Sequence, residues 1–250
     1  MQLLMINPNT SSGITELVVR HAQRFASPGT QILGATGRFG ARYITSRAAS
    51  AIAAHAALDA YAEHGHGTDV VILACFGDPG LAALREMATQ PVVGFAEQAC
   101  RRAAMIGRFS IVTGGERWGP MLEEFVAWLG LSEQLASVRT VAPSGGDIAR
   151  DPKGSIAMLA QACADAVHRD RAQCVVLGGA GLAGLAAEVA PLVPVPLIDP
   201  VQEAVAAAEA LARSSTPASA PNKGLQDSAA TPATQTVGLS EPLSRRLTGR

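Results

Sequence analysis

Two ten-residue stretches of this 250-residue chain repeat one another 104 residues apart: Leu73–Ala82 (LACFGDPGLA) and Leu177–Ala186 (LGGAGLAGLA). Leu73/Leu177, Gly77/Gly181, Gly80/Gly184, Leu81/Leu185 and Ala82/Ala186 coincide, and Cys75 faces Gly179. Each copy follows an apolar run and leads into a helix-forming segment, so each reads as a strand, a tight Gly-rich turn and a helix start. Turns of this kind lie at the carboxyl ends of sheet strands, where open α/β folds place their ligands. A chain carrying two of them is constrained to a duplicated α/β architecture.

The rest of the sequence keeps that rhythm. Short apolar runs predict strands at Leu3–Ile6, Gln31–Ala35, Val70–Ala74, Val92–Phe95, Ser110–Thr113, Ser137–Val141, Cys174–Gly178 and Leu197–Ile198. Helical stretches are expected near Gly13–Phe25, Ala48–Glu63, Gly80–Ala88, Ala96–Met105, Pro120–Leu129, Ser155–Arg169, Ala183–Val189 and Val201–Ala212. Strands separated by helices of this length make βαβ units and a mostly parallel sheet. The second halves also resemble each other, PVVGFAEQA from Pro91 against PVPLIDPVQEA from Pro194. The fold class expected is therefore α/β, with two pseudo-symmetric lobes and the active site in the cleft between them. Residues 1–95 with part of 197–212 form the first lobe, and 96–196 the second. Residues 213–250, rich in Ser, Thr, Pro and Ala without apolar periodicity, are expected to be a disordered tail.

Composition excludes several partners. The net charge of −1 and the lack of a Lys/Arg cluster, apart from Arg245-Arg246 in the tail, leave no electrostatic footprint for nucleic acid. No apolar run reaches the ~20 residues that span a bilayer, and Met1–Ile6 reads as a first strand rather than a signal peptide. Cys75, Cys100, Cys163 and Cys174 show no metal or C-x-x-C spacing. Reduced thiols, a cytoplasmic chain and no metal are expected.

Cys75 leads the residues that carry chemistry. It stands past a strand end, before Gly77, Pro79 and Gly80, where a helix N-terminus is expected to lower its pKa. Cys100, Cys163 and Cys174 fall within helix or strand patterns and read as packing. Asn7-Pro-Asn-Thr-Ser11 follows the first strand with a run of hydrogen-bonding side chains, a good helix cap or a substrate contact. Thr113-Gly114-Gly115 has the same place in the second half, and its backbone could cradle a carboxylate. Arg42 or Arg47, in the Gly40–Arg47 loop, could pair with an acidic group, or the loop could simply be solvated. His55 reads as a core or interface residue, and His64 and His66 as solvated. Gly178-Gly-Ala-Gly181 lacks the spacing and acidic partner of a dinucleotide loop.

Asn7–Ser11, Ala74–Leu81 (ACFGDPGL), Pro91–Glu97 (PVVGFAE) and Val176–Gly181 (VLGGAG) together resemble the Asp/Glu/hydantoin racemase superfamily, in its hydantoin and allantoin racemase-like branch, over about Met1–Ala212. The resemblance implies a two-lobed fold, often oligomeric, and chemistry without a cofactor: one cysteine takes the proton from a stereocentre and a second, on the opposite face, returns one. By position Cys75 corresponds to the first cysteine. Asn9, Thr10, Phe76, Gly77, Thr113, Gly114, Gly179, Ala180 and Gly181 fall in substrate-contacting segments, for a small substrate with a carboxylate or imide group. A homo-oligomer is expected. The second cysteine belongs at Gly179, in the family's Leu-Gly-Cys-Ala-Gly pattern, and is absent. Three readings follow: an isomerase in which another residue or water replaces that thiol, a single-cysteine decarboxylase similar to arylmalonate decarboxylase, or a binding protein without catalysis. In each, backbone N–H groups around Gly77, Gly114 and Gly181 would face an enolate-like anion.

Overall fold

The computed structural model describes residues 1–214 and 234–248. Its first sheet contains β1 (Gln2–Asn7), β2 (Gln31–Thr36), β3 (Val70–Leu73) and β4 (Val92–Gly94), in the order β2-β1-β3-β4. Its second contains β5 (Phe109–Gly114), β6 (Leu135–Val141), β7 (Cys174–Gly178) and β8 (Leu197–Ile198), in the order β6-β5-β7-β8. Every pairing is parallel and the two topologies are the same. The strand order fits the composition of the strands. Central β3, β5 and β7 are buried along their whole length and β1 at all but its first residue, as continuous apolar runs covered on both faces should be. Edge strands β2 and β6 are partly exposed.

Helices cover the sheets with stripes spaced three or four residues apart. α1 (Ser12–Ala22) buries Ile14, Val18 and Ala22 against Leu3, Met5 and Ile32. α2 (Arg47–His64) covers the other face of the first sheet with Ala57, Ala60 and Tyr61, beside α3 (Leu81–Met87). α4 (Phe95–Ile106) packs Ala99, Cys100 and Ala103 against Phe109, Ile111 and Cys174 of the second lobe, next to α5 (Trp118–Trp128). α6 (Gly145–Arg150), α7 (Pro152–Asp170) and α8 (Leu185–Val189) close the second lobe's outer face. α9 (Pro200–Ser214) returns to the first sheet through Val201, Ala204, Val205 and Ala208. Within the stretch 197–212 the two sheets divide the chain: Leu197 and Ile198 pair with β7 in the second sheet, and only the helix packs on the first.

Two helices depart from the sequence reading. α6 holds two glycines and six residues, yet its start is fixed by a capping box in which the Ser144 hydroxyl accepts from Asp147 N–H and Asp147 accepts from Ser144 N–H. The expected disordered tail contains α10 (Glu241–Thr248). Its apolar side is small but well placed. Leu243 is fully buried, the Ser240 hydroxyl donates to Asp59 of α2, and the Arg246 guanidinium lies 4.9 Å from the Tyr61 ring centroid. Tertiary docking supplies what local composition lacks. The tail positions 215–233 and 249–250 lie outside the described residues.

Leu243→Ala should weaken the docking of α10 by about 2 kcal/mol, the lower end for a buried leucine truncation. Hydrogen exchange checks this: protection should fall at 241–248 and along the covered face of α2, while the central strands keep theirs. Unchanged protection in α10 would contradict the contact.

Candidate active site

In each sheet the strand order reverses between the two central strands, β1 and β3 in one and β5 and β7 in the other. The carboxyl ends flanking those reversals carry Asn9, Cys75, Thr113 and Gly179 respectively. A crevice at such a point is where open parallel sheets bind ligands, and here the two crevices meet. Asn9, Cys75, Phe76, Thr113, Gly114, Gly179, Ala180 and Gly181 all line one cavity of about 70 Å³ between the lobes. Two of the sequence candidates stand apart. Thr10 lines a neighbouring groove. Gly77 packs under Trp118, whose ring would lie 2.7 Å from a Cβ added there.

Cys75 is buried, with 7 % of its surface exposed, among Ile44, Ala53, Ala49 and Trp118. Its turn is pinned at both ends. The Cys75 carbonyl accepts from Asp78 N–H at 3.0 Å, and the Asp78 carboxylate accepts from Ala96 N–H at 3.1 Å and Glu97 N–H at 2.8 Å at the start of α4. The helix after Cys75 begins only at Leu81, capped by Gly80. The thiol therefore does not sit on that N-terminus, and the expectation of a lowered pKa is overturned. Burial, and secondarily the Asp78 charge, push the Cys75 thiol far above its usual range. Burial likewise pushes the Asp78 carboxyl up to about 7, against the two backbone donors that favour its charge. Close by, burial works to raise the Glu97 carboxyl, but Arg85 and Arg101 outweigh it and hold Glu97 below the ordinary range.

In the same cavity the second lobe presents Gly179 and no thiol. Gly179 has φ 127° and ψ 129°, a conformation L side chains rarely adopt. A Cβ placed there would meet Leu182 Cδ1 at 3.1 Å and Thr113 Oγ1 at 3.5 Å. Thr113 is buried, and its hydroxyl is the polar atom nearest the position of the missing side chain. At Gly178 the constraint is close approach: the Phe76 ring would lie 2.4 Å from any added Cβ, so the first lobe's turn rests on the second lobe's backbone. The Asn9 Oδ1 accepts from Asn7 Nδ2 and Ser11 N–H, both at 2.8 Å, which shapes the first turn.

Sequence reasoning missed several walls. Tyr43, Ile44 and Thr45 of the Gly40–Arg47 loop, Trp118, and Ser144–Gly146 of the α6 cap also line the cavity. Trp118 Nε1 donates to the Ile44 carbonyl at 3.1 Å, joining the lobes beside Cys75. The Ser-Gly-Gly-Asp signature of a capped helix start was the available signal for Ser144–Gly146. Arg47 is spent on an ion pair with Glu124. His55 stands edge-on to Phe39 at 4.8 Å, and His64 and His66 are exposed. Cys100, Cys163 and Cys174 are buried in helix and strand cores, where desolvation raises Cys163 to about 12 and Cys174 to about 11.

Comparison with known proteins agrees with this fold. The Asp/Glu/hydantoin racemase family profile matches residues 3–208. A hydantoin racemase from Paenarthrobacter aurescens is 37 % identical over 216 residues, covering 84 % of this chain and 91 % of that protein. The crystal structure of allantoin racemase from Pseudomonas fluorescens superposes with a TM-score of 0.82 at 34 % identity, covering 85 % of this chain and 91 % of that one. An arylmalonate decarboxylase variant shares the fold at 17 % identity, with a TM-score of 0.66 over 86 % of this chain and 94 % of that one. The duplicated sheets, the facing turns and the sequence relationship place the chain in the Asp/Glu/hydantoin racemase family, as an isomerase of the racemase type.

Proposed function

We propose that this protein moves a proton at the carbon alpha to a carbonyl of an amino-acid-, hydantoin- or allantoin-like substrate, with the Cys75 thiol as acid/base on one face. The observation that carries this reading is the shared cavity, lined by Cys75 from the first lobe and by Gly179 and Thr113 from the second. A planar enolate held there would have the sulfur on one face. Backbone N–H groups of the turns would stabilise its oxygen. The raised thiol pKa makes the protonated form the resting state, suited to giving a proton to carbon. Abstraction requires the thiol to pass its proton to solvent first. On the opposite face Gly179 has no proton to give, so the Thr113 hydroxyl or a water it holds is the donor that inversion requires.

Gly179 also favours a second reading, protonation of an enolate on one face only. There a substrate carboxylate leaves as CO₂, its C–C electron pair enters the carbonyl, Cys75 protonates the carbon, and solvent restores the thiol.

Solvent exchange in D₂O separates these readings. Cys75→Ala should cut α-proton exchange on a hydantoin by about 10²–10⁴-fold, and undiminished exchange would refute both. Thr113→Val should slow inversion while leaving exchange with retained handedness, measured by chiral chromatography beside NMR.

Thiol alkylation followed against pH reads the electrostatics directly. Asp78→Asn removes a negative charge beside Cys75, so the alkylation profile should move to lower pH. Because the Asp78 carboxyl binds its proton more tightly folded than unfolded, its contribution to stability falls as pH rises from its ordinary 3.8 to about 7. Chemical denaturation across that window should show a smaller decline in Asp78→Asn than in the parent.

A further inference from the structure

The cavity at Cys75 is small. At about 70 Å³ it is well below the ~300 Å³ of a usual small-molecule pocket. A groove of about 500 Å³ adjoins it, bordered by three of the same residues, Ile14, Tyr43 and Gly146. Tyr43 and Gly146 form the partition between the two spaces: the ring packs on the glycine so closely that an added Cβ would fall 2.5 Å from Cζ. For a group attached to a carbon in front of Cys75 to reach the groove, the Tyr43 ring must swing off Gly146.

The chemistry of the groove is one-sided. Arg20, Arg42 and Arg150 line it, with the hydroxyls of Thr10, Ser11 and Ser12, and no acidic side chain does. Two of the guanidiniums are already paired on the outside, Arg20 with Glu16 at 3.8 Å and Arg150 with Asp147. Arg42 has no carboxylate partner among the described residues. Its guanidinium carbon lies 5.8 Å from the centroid of Tyr43, the ring that borders the passage. An uncompensated cation thus stands beside the exit of the catalytic cavity, within a space that offers it no acid.

We propose that this groove is a subsite for an anionic substituent of the substrate, a side-chain carboxylate, with Arg42 as the specificity-determining residue. The inference rests on the proposed proton transfer at Cys75 only for where the substrate's reacting carbon lies. A guanidinium and a carboxylate make a charge-assisted pair that a neutral group of equal size does not. Arg42 is exposed to solvent, so salt should screen the preference.

The test compares two probes of equal size and different charge, the hydantoins derived from L-glutamate and L-glutamine. In the parent protein at low salt, kcat/KM for α-proton exchange should favour the carboxylate by about tenfold, the scale of one charge-assisted hydrogen bond at a wet site. Arg42→Gln should bring that ratio close to one, Arg42→Lys should keep much of it, and added salt should shrink it. A ratio near one in the parent, or one that Arg42→Gln leaves intact, overturns the subsite. Exchange of neither probe would refute the reaction at Cys75 instead. Calorimetric binding of the same two probes then decides the groove: tighter binding of the carboxylate that Arg42→Gln abolishes supports it, and equal or absent binding overturns it.

Discussion

The candidate site depends on one helix cap. Asp78 belongs to the turn after β3, in the first sheet, and its carboxylate accepts two backbone N–H bonds from the start of α4. α4 packs on second-lobe residues, Phe109 and Cys174 among them. The cap therefore ties the Cys75 turn to the other half of the molecule. Asp78 holds a left-handed φ of 45° to reach that geometry, a conformation Asp tolerates better than most residues at a cost of order 1 kcal/mol. Phe76 reinforces the same link with its ring on Gly178. Position and acidity of the thiol come from one arrangement, because the packing that fixes Cys75 also strips its water and sets a carboxylate near it.

That arrangement explains which parts of the sequence could be read directly. The eight strands among the described residues were legible because most are short apolar runs followed by turn residues, and the central ones are buried along their length. The pairing of Cys75 with Gly179 in one cavity was legible from the repeat, since equal turns in equal sheets meet across a cleft. The acidity of Cys75 was misread. The sequence places a helix five residues beyond the cysteine, and a dipole effect fades within the first turn, whereas desolvation depends on residues such as Ile44 and Trp118 that are distant in the chain. α10 was illegible for a related reason: its stability lies in Tyr61 and Asp59, some 180 residues earlier. Thr10 and Gly77 fell outside the cavity because a motif identifies a turn and not which way each of its residues faces.

The two lobes share more than topology, and part of their joining surface borders the candidate site. Trp118 reaches the Ile44 carbonyl, Arg47 pairs with Glu124, and Tyr43 lies on Gly146. Each contact joins the Gly40–Arg47 loop or the start of α2 to α5 or α6. A loop that reads as solvated by composition is thus held in place by the opposite lobe. Its residue Arg42 lines a groove with no acidic side chain and has no carboxylate partner among the described residues.

The asymmetry between Cys75 and Gly179 is written in backbone as well as side chain. If the second turn merely lacked a thiol, a single exchange would restore a symmetric pair. At φ 127° and ψ 129° an L residue is strained by about 1–3 kcal/mol. Relief requires the turn to move, yet Gly181 two residues on is packed so tightly that a Cβ there would fall 2.1 Å from the Gly145 carbonyl oxygen. Gly145 opens α6, whose next residue supports Tyr43 at the edge of the groove. A side chain at position 179 thus requires Leu182 or the turn itself to give way, and Gly181 leaves the turn little room to do so. The lack of a second thiol and the packing beside the groove thus meet at one turn.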